Sequence, residues 1–141
     1  YYLNKFLSEN KDLKYKKAIG INGLPQTIGK FGINEKIFNI TLDTLNEENL
    51  EKFLINMDID DSFCKSNKSF DEIKNELQFF KNNYRIIDNH IDFYYIGKND
   101  RIIPANRLEK YCQNYNLAYK LFECGHYPFS YFKNFKDILD I

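Results

Sequence analysis

The chain has no tryptophan, one methionine, three prolines and three cysteines in 141 residues, and each scarcity excludes something. Cys64, Cys112 and Cys124 are odd in number and no two stand as Cys-x-x-Cys. Neither a disulfide framework nor a zinc site fits, so they read as reduced thiols of a cytoplasmic protein. An excess of charge is also missing, since 20 basic residues balance 20 acidic ones. That argues against a dedicated nucleic-acid binder, which carries a marked basic surplus. No apolar run approaches the roughly 20 residues needed to cross a membrane, and no secretory signal is visible. Nucleic acid and membrane are therefore not expected partners, and no metal or cofactor is called for.

What is abundant is aromatic bulk. Thirteen Phe and eleven Tyr contribute to a hydrophobic content of 43%, enough for the core of one domain. The charges, balanced overall, are unevenly placed. Residues 1–40 carry seven Lys against three acids, whereas residues 41–61 carry seven acids against Lys52 alone. An acidic partner should avoid the second segment.

The apolar pattern changes period along the chain. Tyr2, Leu3, Phe6 and Leu7 form a stripe at helical spacing in "YYLNKFLSEN". Ala18 to Ile21 reads as a short buried strand closed by an Asn22-Gly23 turn, and "LPQTIGKFGI" as a loop punctuated by Pro25, Gly29 and Gly32. Residues 34–87 read as helical throughout, with Asn46 as an N-cap and Ser69 with Glu72 as a capping box. Strands are predicted at 91–96 and over "NLAYKLFE", a helix between them through Leu108, Tyr111, Cys112 and Tyr115, and a last helix through Tyr131, Phe132, Phe135, Ile138 and Leu139. Strands alternating with helices imply an α/β fold with a parallel sheet.

In such a sheet functional residues gather beyond the carboxyl ends of the strands. The strand at 91–96 ends in "GKNDRIIP" and the next in "CGHYPF". If the two turns are neighbours, the Asp100 carboxylate would accept a hydrogen bond from one ring nitrogen of His126 and leave the other as a general base. If they are not, His126 is a loop residue and Asp100 turns a corner. His90 has no such company and reads as a surface residue before a strand. Cys124 reads as a small buried side chain.

"GKNDRIIP" followed by "CGHYPF" resembles the acid and histidine ends of an α/β-hydrolase. The segment "INGLPQTIGKFGINEKIFNITLDTLNEENLEKFLINM" is similar to the cap of the BioG-type pimeloyl-[acyl-carrier protein] methyl ester esterases. The shared features are Asn22-Gly23 with Pro25, Phe31-Gly32-Ile33, Phe38, Thr41, Asn49, Phe53 and Met57. The resemblance implies the C-terminal part of an α/β-hydrolase fold: three parallel strands with flanking helices and an inserted helical cap. Residues 1–25 and 89–141 would form the core and 26–88 the cap. Asp100 would be the triad acid and His126 the triad base. Phe38, Phe53, Leu54, Met57 and Phe80 would line the acyl channel. Lys30, Lys36, Arg101 and Arg107 would meet the partner, an acyl-carrier protein bearing a pimeloyl methyl ester.

One departure from the family's pattern bears on activity. The nucleophile elbow Gly-x-Ser-x-Gly, which exposes the attacking hydroxyl and supplies an oxyanion donor, occurs nowhere. Ser8, Ser62, Ser66, Ser69 and Ser130 all lack the flanking glycines. The resemblance puts the elbow immediately before a helix like "YYLNKFL", so it would lie upstream of Tyr1 or on a complementary N-terminal half. The 141 residues alone are expected to be inactive. A general carboxylesterase or thioesterase with the same triad, and a non-catalytic relic or interaction protein, stay open beside the biotin-synthesis esterase.

Overall fold

Five consecutive buried residues, Phe93–Gly97, make the middle strand of the sheet. A strand covered on both faces has no polar side, so its sequence runs apolar without alternation. The computed structural model describes residues 1–61 and 63–139; Ser62, one of the serines without flanking glycines, lies outside them. Within that range the strands are β1 (Ile19–Ile21), β2 (Phe93–Gly97) and β3 (Ala118–Phe122), and the helices are α1 (Tyr2–Glu9), α2 (Glu35–Asp43), α3 (Glu47–Asn56), α4 (Phe70–Asn83), α5 (Ala105–Asn114) and α6 (Phe135–Leu139). The sheet order is β1-β2-β3 and both pairings are parallel, with Ile19 opposite Phe93 and Phe93 opposite Ala118. The chain is an α/β protein of three parallel strands with flanking helices.

Alternation along β2 sends its side chains to two packed layers. Tyr94 and Ile96 enter the main core with Leu7 of α1, Ile91, and Leu108, Tyr111 and Cys112 of α5. On the other face Tyr95 lies 4.8 Å from the Phe122 ring and 5.5 Å from that of Phe132, and its hydroxyl donates to the Ile138 carbonyl of α6 at 3.0 Å. Buried Asn4 stitches α1 to the segment before β2. Its amide donates to the Asp88 carbonyl at 2.8 Å, and its oxygen accepts from the His90 N–H at 2.6 Å.

The helical block departs from the sequence expectation. Residues 34–87 are not continuously helical but form α2, α3 and α4, with residues 57–61 and 63–69 and the stretch after Asn83 irregular. Asp58 is the physical reason for the longer break. Its φ of 59° is left-handed, a conformation a right-handed helix cannot incorporate. The helix restarts at Ser69, where the capping box is complete in both directions, and Asn34 and Asn46 cap α2 and α3. The last predicted helix is also shorter. Phe129–Tyr131 is a 3-10 turn, Phe132 is extended, and only Phe135–Leu139 is α-helical.

Candidate active site

Asp100 sits three residues past the end of β2. Its side chain is 2% exposed, and such a buried carboxylate must be fully hydrogen-bonded. One oxygen, Oδ1, accepts from the backbone N–H groups of Ile102 and Ile103, each at 2.8 Å. Those two bonds lock the carboxylate plane. The other oxygen, Oδ2, lies 2.8 Å from Nδ1 of His126. An ionised carboxylate only accepts, so Nδ1 carries the proton and Nε2 is the unprotonated nitrogen of the neutral ring. Among the described residues Nε2 has no hydrogen-bond partner, and the His126 side chain is 21% exposed. The ring can therefore be approached from outside the fold while its far side is anchored.

His126 lies on a turn with no regular structure, so its backbone is held from elsewhere. At the start of the turn, Lys98 N–H donates to the Phe122 carbonyl at 2.8 Å and Asn99 N–H to the Cys124 carbonyl at 3.0 Å. Beyond His126, the Tyr127 N–H donates to the Met57 carbonyl at 2.9 Å, at the C-terminal end of α3. Buried Asn22 supplies the middle. Its Nδ2 donates to the Gly125 carbonyl at 2.9 Å and to the His126 carbonyl at 3.0 Å, and its Oδ1 accepts from the Gly97 N–H at 2.6 Å.

The two glycines of the quoted turns are required by close approach. A Cβ on Gly97 would stand 2.6 Å from the Gly125 carbonyl oxygen and 2.8 Å from that of Cys124; one on Gly125 would stand 2.6 Å from the Asp58 Cβ. Burial pushes the Cys124 thiol up, so Cys124 is a packing residue beside the pair.

The other predicted site residues fall in separate places. Phe80 packs edge-on against Tyr1 at 5.2 Å and lies 6.0 Å from Phe38, in a ring cluster joining α4, α2 and α1. Phe53 is exposed on α3. Leu54 lines a cavity of about 370 Å³ between α3 and α4 with Leu50, Phe63, Phe70 and Ile73; the Phe63 ring is 5.3 Å from that of Tyr127, next to His126. Met57 touches the site through its carbonyl. Lys30, Lys36 and Arg107 come together, with Lys110, around a cleft of about 790 Å³. Arg101 is elsewhere, its guanidinium donating to the Ile55 carbonyl at 3.0 Å. Sequence reading missed the roles of Asn22 and Lys110. Asn22 could have been found from a polar residue closing a buried strand, Lys110 from its place one helical turn after Arg107.

Among the described residues no cluster of three or more His, Cys, Asp or Glu could hold a metal ion, and no helix is long and apolar enough to cross a membrane.

Three parallel strands thus hold a buried acid and an imidazole at neighbouring strand ends, in an α/β fold that is also seen in BioG. The solved structure of BioG from Haemophilus influenzae superposes with a TM-score of 0.76 at 26% identity, over 96% of this chain and 67% of that one. By sequence, the chain is 29% identical over 134 residues to the malonyl-[acyl-carrier protein] O-methyltransferase of Bacteroides fragilis strain 638R. The match covers 84% of this chain, which spans about a quarter (26%) of that relative's length. No family model matches.

Proposed function

We propose that these residues carry the acid and base of a serine esterase of biotin synthesis, hydrolysing the methyl ester of pimeloyl-acyl-carrier protein in the cytoplasm. The observation that carries the reading is the 2.8 Å Asp100–His126 pair at the ends of adjacent parallel strands, with Nε2 unpartnered among the described residues. A Ser supplied from outside these 141 residues attacks the ester carbonyl while His126 Nε2 takes its proton. The imidazolium, oriented by Asp100, gives that proton to the departing methoxide, which leaves as methanol. Water then attacks the acyl-enzyme, Nε2 takes its proton and returns it to the Ser oxygen, and the free pimeloyl carboxyl is released on its carrier.

In this reading residues 26–88 act as the cap. Leu54 and the cavity behind Phe63 are the acyl contacts nearest the imidazole, with Phe38, Phe53, Met57 and Phe80 shaping the cap around them. The cleft ringed by Lys30, Lys36, Arg107 and Lys110 takes the acidic surface of the carrier, since clustered cations steer and hold an anionic partner. The name of the Bacteroides relative concerns a methyl ester made on a carrier-bound acid; removing such an ester is the chemically complementary step.

The test is methanol release from methyl-pimeloyl carrier. The 141-residue chain alone should release none, whereas the natural product read upstream of Tyr1, carrying an elbow Ser, should turn over. In that product Asp100→Asn should cost about 10⁴-fold in kcat. Turnover that survives His126→Ala would defeat the reading. Equal or faster hydrolysis of short soluble esters would favour a general carboxylesterase instead.

A further inference from the structure

We infer that Asn22 is a positioning residue of the Asp100–His126 pair, a single side chain that fixes the imidazole's backbone relative to the acid's strand. The inference rests on the esterase reading for its purpose but not for its geometry. Asn22 is 2% exposed and closes β1 with a φ of 49°. Asn is one of the few non-glycine residues that tolerates this left-handed backbone. That conformation turns its side chain beneath both catalytic turns while its own N–H still bonds the Tyr95 carbonyl at 2.9 Å.

Both donor hydrogens of the amide group are used in this position, and its oxygen is engaged as well. Both Nδ2 hydrogens are taken by the Gly125 and His126 carbonyls, and Oδ1 takes the Gly97 N–H. Ends of β1, β2 and the turn after β3 are thereby joined through one group. Asp100 is fixed to β2 through Gly97, whose carbonyl accepts from the Asp100 N–H at 3.3 Å. His126 is fixed through its own carbonyl. The two halves of the pair therefore share a common reference in Asn22, and the 2.8 Å contact between them depends on it. No other amino acid provides this donor and acceptor set at that length: Asp keeps the shape but replaces the two donor hydrogens with an oxygen facing two carbonyls.

The experiment is ¹⁵N NMR of the His126 imidazole in this chain, with the ring neutral, in wild type, Asn22→Asp and Asn22→Gly. Glycine retains the left-handed backbone without the side chain, so it isolates the clamp from the turn. Wild type should give two well-separated ring signals, those of a single Nδ1–H tautomer, and Asp100→Asn, whose amide can donate to Nδ1, should lose that Nδ1–H assignment. Both Asn22 variants should lose it as well, the two signals moving toward an averaged position. Amide dispersion away from the site should stay unchanged, and the Gly97 amide should lose its exchange protection in the glycine variant. Retention of the wild-type imidazole signals in Asn22→Asp would overturn the inference, whether or not the glycine variant folds. The readout does not involve hydrolysis, so failure of the esterase reading and failure of this one are told apart.

Discussion

Gly97 shows how little room the pair leaves at the scale of one residue. The carbonyl oxygens of Gly125 and Cys124 crowd the place a Cβ would occupy, and backbone cannot move aside as a flexible side chain could. Gly97→Ala should therefore destabilise the chain by about 1–3 kcal/mol and push the His126 turn away from Asp100. Denaturant unfolding reads the first effect and the His126 ring signals the second. A variant of unchanged midpoint and unchanged ring signals would show that the turn is looser than its contacts indicate. The thiols provide a second check at this scale. Cys64 is exposed while Cys112 and Cys124 are buried, and burial pushes the Cys112 thiol up to about 12. The thiolate is the reactive form, so a thiol reagent at neutral pH should label Cys64 quickly in the native chain and all three cysteines only after unfolding. Mass spectrometry of the labelled protein counts them.

At the scale of elements, α4 begins where its sequence says it should. The Ser69 hydroxyl accepts from the Glu72 N–H at 3.3 Å, and the Glu72 carboxylate accepts from the Ser69 N–H at 2.7 Å. Ser69→Ala should cost about 1 kcal/mol, the usual worth of such a cap, in thermal or denaturant unfolding. The backbone hydrogen bond from Ser69 holds the Glu72 carboxyl below its ordinary value. A depressed folded pKa contributes stability above the unfolded value and loses it as pH falls through the folded one. The difference between wild type and Glu72→Gln should accordingly shrink on acidification below pH 4.5, the ordinary value. A difference that does not change with pH would mean the carboxylate is not engaged.

How far the elements were legible follows from how local their causes are. β2 announced itself because a central parallel strand must be apolar throughout, and α5 because Leu108, Tyr111 and Cys112 repeat at helical spacing and all three are buried. The capping box is a four-residue signal and was read correctly. The break after α3 was not, because a left-handed Asp58 depends on what packs over it; here that is Gly125, some 67 residues later in sequence. The Asp100–His126 pairing was conditional for the same reason. Composition made it chemically reasonable, but only the β2–β3 register brings the two turns together. Asn22 was read as a turn residue, since its three tertiary partners lie more than 70 positions away.

For the molecule as a whole the decisive feature is an uneven distribution of cover. β2 is enclosed on both faces, yet among the described residues β1 pairs only with β2, and α1 shows water Tyr2 at 65%, Phe6 at 49% and Leu3 at 45% exposure. A free strand edge and exposed apolar side chains on one helix are both surfaces that seek a partner. The chain of 141 residues should therefore self-associate, its mass by light scattering rising with concentration. Paired substitutions on the outer face of α1, Leu3→Glu with Phe6→Lys, should shift that equilibrium toward monomer without lowering the unfolding midpoint, because neither side chain is buried. Burial of Leu7 and Asn4 on the opposite side of the same helix provides the control, since Leu7→Ala should cost about 2–5 kcal/mol in unfolding. If the charged pair leaves association unchanged, the contact runs through the β1 edge instead. A proline in place of Ile21, whose N–H points away from β2 because that of Asn22 points toward it, would remove a donor from the free edge and would then be the substitution that abolishes it.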